Sequence, residues 1–334
     1  MNRSAGKNTN LVFCWASLGV GIILFGAATS VFGFDLLVAS AGANSVFRFD
    51  PNTGEFLGEL TAGSPLDNPR GISFGPDGHL YVSSTDSNAV LRYHGQSGAL
   101  LNTITDISLG HPEGLAFGSD GKLYVASLQT DNVARFDATT GTFLNVFVSP
   151  PPLNGPMDVS FGPDGNLYVA AIDMNAVLRY DGQNGSYMGV FASAPQLMGP
   201  RGLTFGPSGD LYVVASSPTS GVLRFDGQSG AYLGVFADDP TLQSPFDAVF
   251  GPDGDLFVSD SSPSHSTIYR FDGQTGDFLS ELAPGFPMQQ PTFLTFTPQA
   301  AGPSPVPALT ISGVAAVAVL VVICGAFVFR SADS

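Results

Sequence analysis

The chain has 334 residues with 28 acidic and 12 basic side chains, a formal net charge of −16. Discounting Asp333, Arg3, Lys7 and Arg330 leaves 27 acidic against 9 basic side chains between residues 35 and 300, which sets nucleic acid aside as a partner, because binding a polyanion depends on basic side chains replacing counterions at phosphates. The two cysteines, Cys14 and Cys324, fall in apolar stretches at opposite ends, so disulfides, thiolate metal sites and cysteine nucleophiles are excluded from the middle.

Residues 1–33 carry Arg3 and Lys7, then an uncharged run from Leu11, with the small residues Ala27, Ala28 and Ser30 near its end. This is the layout of a secretory signal peptide, with cleavage expected between Ala28 and Gly33. An uncleaved anchor is the rival reading, but strand-like sequence begins at Asp35 and leaves no linker.

Residues 34–298 repeat. Phe-Gly-Pro-Asp-Gly at 74–78 returns in variant form at 117, 161, 205, 250 and, degenerately, 296, in steps of 43, 44, 44, 45 and 46 residues. In each unit an inner strand such as 71–74 leads into this turn, where Pro fixes φ, Asp can bond its own backbone and Gly accepts positive φ. A Leu-Tyr-Val type second strand follows, apolar on both faces and therefore expected between two neighbouring sheets. The third strand reads Val-x-Arg-aromatic and ends in a hairpin turn such as residues 181–185, and a fourth begins with an aromatic-aliphatic pair. Units of this size are those of an all-β propeller with four-stranded blades. The count closes at six only if residues 291–296 supply the inner strand that the first unit lacks, joining the two ends in one blade.

Residues 299–307, rich in Ala, Pro and Gly, read as a stiff tether. The 22 uncharged residues 308–329 would reach roughly 33 Å as a helix against a hydrocarbon core of about 30 Å, and so span a membrane. A short tail, 330–334, follows.

Residues 69–82 (Pro-Arg-Gly-Ile-Ser-Phe-Gly-Pro-Asp-Gly-His-Leu-Tyr-Val) resemble an NHL repeat, and the domain resembles NHL-type six-bladed propellers, a group related to gluconolactonase-like hydrolases and virginiamycin B lyase-like proteins. The segment Pro-Ser-Pro-Val-Pro-Ala at 303–308, followed by the apolar run, resembles the bacterial PEP-CTERM sorting signal. It departs from that pattern in lacking Pro-Glu-Pro and in having the single Arg330 where a basic cluster is usual. The resemblance implies export and a place at the membrane or cell surface.

A residue present in every copy is architectural, because a site needs asymmetry. That assigns a structural role to Arg48, Arg92, Arg135, Arg179, Arg224 and Arg270, expected to pair with carbonyls or nearby aspartates, and to the turn residues Asp77, Asp120, Asp164 and Asp253. Function belongs where copies differ, at the starts of the inner strands: Arg70, Glu113, Asp158, Arg201 and Asp247 are expected to ring the channel mouth as binding residues. Glu113, Asp158 and Asp247 could converge as hard oxygen ligands for calcium or magnesium, as a resemblance to gluconolactonase-like enzymes would imply, or each could cap its loop or pair with Arg70 or Arg201. His111, beside Glu113, is the candidate for acid-base catalysis, or else a solvated loop histidine. Two functions follow: a non-enzymatic scaffold that binds an extracellular protein or glycan through its variable loops, preferred because the polar rim is sparse, or a divalent-metal-dependent lactonase or lyase.

Overall fold

The computed structural model describes residues 34–298 except 219, 285 and 287, and except the side chains of 217 and 218. The expected signal peptide, tether and apolar helix lie outside the described residues. Within them, six four-stranded antiparallel sheets form, of which Pro69–Phe74, Leu80–Ser84, Ala89–Tyr93 and Leu100–Thr105 are typical. Each inner strand touches the next around the ring, and Pro291–Phe296 touches both Pro69–Phe74 and Pro245–Phe250. The ring is therefore closed.

Its closure is the composite blade that the repeat count requires, with Pro291–Phe296 beside Leu36–Ser40, then Ser45–Phe49 and Phe56–Glu59. Leu36 pairs with Phe296 and Val38 with Leu294, with a register shift before Ser40 pairs with Pro291. Side chains fasten the seam. Thr292 Oγ1 donates within 3.1 Å of the carbonyls of Ala39 and Pro69, and the Asp35 amide donates to Thr297 Oγ1 at 2.8 Å.

The burial pattern explains the repeat. Second strands such as Leu80–Ser84 and Leu123–Ser127 are buried along their whole length, each burial of a Leu or Val contributing about 1.5–3 kcal/mol. The second-strand aromatic meets the inner-strand Phe of the next blade edge-on, Tyr81 on Phe117 at 5.0 Å and Tyr212 on Phe250 at 4.9 Å. The degenerate copy keeps this contact, with Phe257 on Phe296 at 5.3 Å. Along each third strand only the arginine escapes full burial. It reaches a turn carboxylate: Arg92 to Asp77 at 2.7 Å, Arg270 to Asp253 at 2.6 Å. Where Ser208 replaces the turn aspartate, Asp210 takes Arg224 at 2.5 Å.

Inner strands begin earlier than the repeat suggests, at the proline before each variable residue, as in Pro69–Phe74 and Pro112–Phe117. In the fifth blade the inner strand extends to Leu197–Phe205. In the other five blades proline is tolerated because the first residue of a strand need not donate to the ladder, and Pro200, inside the longer strand, sits where the register shifts before Leu203.

Candidate functional site at the channel mouth

Antiparallel order places the starts of all inner strands, and the turns between second and third strands, on one face of the disc. The repeated Asp turns and their arginines occupy the other face. After each inner-strand proline stands one variable side chain: Arg70, Glu113, Met157, Arg201, Phe246 and Thr292. Met157, Phe246 and Phe293 are buried in one apolar cluster with Ile72. Below them the central channel holds about 340 Å³, its polar lining residues being Ser73, Ser160, Thr204, Thr295, Asp158 and Asp247.

Asp158 and Asp247 brace neighbouring blades. Asp158 Oδ1 accepts from the Val159 amide at 2.8 Å and Oδ2 from the Leu203 amide, one blade on, at 2.9 Å. Asp247 Oδ2 accepts from the Leu294 amide of the closing strand at 2.9 Å. Glycine is needed in the preceding blades: a Cβ on Gly114 would lie 2.0 Å from Asp158 Oδ1, and one on Gly202 2.2 Å from Asp247 Oδ1. Burial, and then the charge of Asp247, push the Asp158 carboxyl well above its usual range against the pull of its two amides. Burial pushes Asp247 up to about 7, opposed by the Leu294 and Ala248 amides. Among the described residues no group of three or more His, Cys, Asp or Glu side chains is arranged to hold a metal ion.

Glu113, His111, Arg70 and Arg201 come together at the mouth. His111 sits at φ +57°, held by its amide's bond to Asn88 Oδ1 at 2.8 Å. Its Nε2 lies 3.3 Å from Asp86 Oδ1 and its Nδ1 3.7 Å from Glu113 Oε1. The Glu113 side chain raises the His111 pKa despite burial, with further help from Asp86 and opposition from Arg70. Glu113 is only 3% exposed, and its Oε2 has no hydrogen-bond partner. The Cζ atoms of Arg70 and Arg201 lie 4.9 and 5.1 Å from the centre of the Phe246 ring. Arg201 donates to Ser244 Oγ and to the Pro245 carbonyl, both at 3.1 Å.

The sequence reading missed Asp86 and the supports beneath the rim. Asn44, Asn88, Asp131 and Asn175, all at positive φ, each accept at 2.8 Å from an amide leading into the following blade, those of Asn68, His111, Gly155 and Gly199. Their signal is an Asn or Asp at or just before the start of the third strand in four copies. Asp260, fully buried, accepts from the amides of Gln243, Ser244 and Ser262 and so fixes the partner of Arg201.

No protein-family model matches the chain, and no curated protein matches it. Among solved structures, a nidogen/laminin complex superposes with a TM-score of 0.67 at 19% identity, over 80% of this chain and 99% of that one. A protein of unknown function from Bacteroides caccae gives 0.64 at 13% identity, over 79% and 99%. A catalytically inactive virginiamycin B lyase from Staphylococcus aureus with quinupristin gives 0.59 at 16% identity, over 80% and 94%. By fold, then, the chain is a six-bladed β-propeller of the kind its NHL-like repeats imply.

Proposed function

We propose that the protein is an exported propeller that holds an extracellular protein or glycan at its channel mouth. The observation that carries this reading is the contrast between the two faces. One repeats the same Arg–Asp contacts blade after blade; the other gathers five different residue types, arginine twice, at six equivalent positions around one axis. The neighbour solved as a nidogen/laminin complex supports a binding role for such a disc. In this reading residues 1–33 direct export and residues 308–329 hold the disc to the membrane or cell surface.

The test is binding of the purified protein to defined arrays of extracellular glycans and proteins. Substitutions at Arg70, Glu113 and Arg201 should abolish capture, and substitutions at Arg92 and Arg179 should not. Equal loss from both sets, or none from either, overturns the reading. Removal of residues 1–33 should keep the protein in the cytoplasmic fraction, and removal of 308–329 should release it from membranes.

A divalent-metal-dependent lactonase or lyase at the same mouth is the second reading, favoured by the Asp86–His111–Glu113 cluster. It would need Asp158 and Asp247 to surrender their bonds to main-chain amides in order to bind calcium or magnesium. Titration calorimetry showing one tightly bound cation, lost in Asp158→Asn, would establish it in place of the scaffold.

A further inference from the structure

Eight arginines lie among the described residues, in a stretch with three acidic side chains for each basic one. The six repeated arginines each have a carboxylate within 4 Å. Arg70 and Arg201 have none among the described residues. Arg201 bonds only to neutral oxygens, and Arg70 donates to no described residue, its Nε being buried and unpartnered. Both flank the same phenylalanine, which places their Cζ atoms within 10 Å of one another. Glu113 and Asp260 act on Arg201 from beyond 4 Å, but neither takes a guanidinium hydrogen bond, which leaves donors of two like charges within 10 Å of one another free for an anion from outside. The Glu113 oxygen without a partner marks a second need, because a buried acceptor left unsatisfied is costly.

We propose that Arg70 and Arg201 form a site for a hydroxy-carboxylic acid of the uronic acid kind, its carboxylate held by the two guanidinium groups and a neighbouring hydroxyl donating to Glu113 Oε2. This rests on the reading of the mouth as the binding face and names the ligand it takes. Guanidinium forks match a carboxylate in two-point geometry. Both arginines are partly exposed, so an incoming carboxylate meets them first, and Glu113 lies deeper, at 3% exposure. A neutral sugar lacks the first feature, and acetate lacks the second.

Calorimetry on the full-length protein with sodium glucuronate, glucose, acetate and a short poly-aspartate peptide separates the cases. Glucuronate should bind, glucose should not, and acetate should bind more weakly. Arg70→Gln and Arg201→Gln should each weaken glucuronate binding by about tenfold or more, the loss of one charge-assisted contact. Arg201→Lys should restore part of it, and Arg92→Gln, on the other face, should leave it unchanged. Glu113→Gln removes a negative charge beside the carboxylate and should therefore weaken glucuronate relative to acetate. Glucuronate binding that is absent, that is indifferent to both arginine variants, or that is outdone by the peptide overturns the site. Capture of a neutral partner at the mouth would leave the scaffold reading intact while removing this one.

Discussion

Replacing Asp247 by asparagine should change the sign of the stability difference from the parent as pH rises. Asp247 is 5% exposed, and burial raises its pKa from 3.8 to about 7. A carboxyl that holds its proton more tightly when folded takes one up on folding between those values, so its contribution is complete below about pH 4 and disappears as pH climbs through about 7. A shift of about 3 units corresponds to about 4 kcal/mol at an order of magnitude. Asparagine has no proton to lose, but it presents an NH2 group where a carboxyl oxygen faced a main-chain amide, at about 1–3 kcal/mol for a buried donor left unpaired. The variant should thus be less stable than the parent at pH 4 and equal or more stable at pH 8. Asp158 should follow, since the charge of Asp247 is part of what raises it. The turn carboxylates do not blur the window. Although burial opposes it, hydrogen bonds and arginine partners hold Asp77, Asp164 and Asp210 below the usual range, so their contribution is lost only as pH falls below about 4. Urea unfolding of both proteins at pH 4, 6 and 8 measures the difference. An Asp247→Asn penalty that is constant across the three values, or largest at pH 8, refutes the reasoning.

Gly202→Ala would set a Cβ 2.8 Å from the Asp247 Cα, which a strand cannot yield cheaply; a loss of about 1–3 kcal/mol is expected in urea, relieved in part by pairing it with Asp247→Ala. Thr292→Val keeps the shape but leaves the carbonyls of Ala39 and Pro69 without their donor, and should cost about 1–3 kcal/mol; an unchanged midpoint would remove this hydroxyl from the account of ring closure. Tyr81→Phe removes bonds to Asp77 Oδ2 and the Ala138 carbonyl, both at 2.9 Å, and should cost about 1–2 kcal/mol, whereas Tyr187→Phe, on an exposed outer strand, should be neutral.

The ring and its closure were legible because they rest on local chemistry repeated six times. Gly-Pro-Asp-Gly makes the same turn wherever it occurs, and an apolar run without alternation has only one comfortable place, between blades. The rim was legible as a set of positions but not as a set of roles. Asp158 and Asp247 looked like candidate cation ligands because both are carboxylates at the mouth. What decides their role is the amide of the next inner strand, 45 or 47 residues away, and the glycine of the preceding blade, neither of which announces itself in one copy of the repeat. Asp86 escaped notice for the same reason: its contact with His111 is made only when the following blade packs against it.

The composite blade also governs how the molecule can be made. Its seam joins Asp35 to Thr297, 262 residues apart, so a chain that emerges amino-terminus first carries Leu36–Ser40 without its inner neighbour until almost the whole domain has followed. Such distant pairing is intrinsically slow, since loop closure comes before its reward. Until then an apolar strand edge is open to other chains. Truncation from either side would leave that edge open permanently, whereas new termini cut within an exposed turn of another blade would keep the seam intact and turn it into a continuous hairpin.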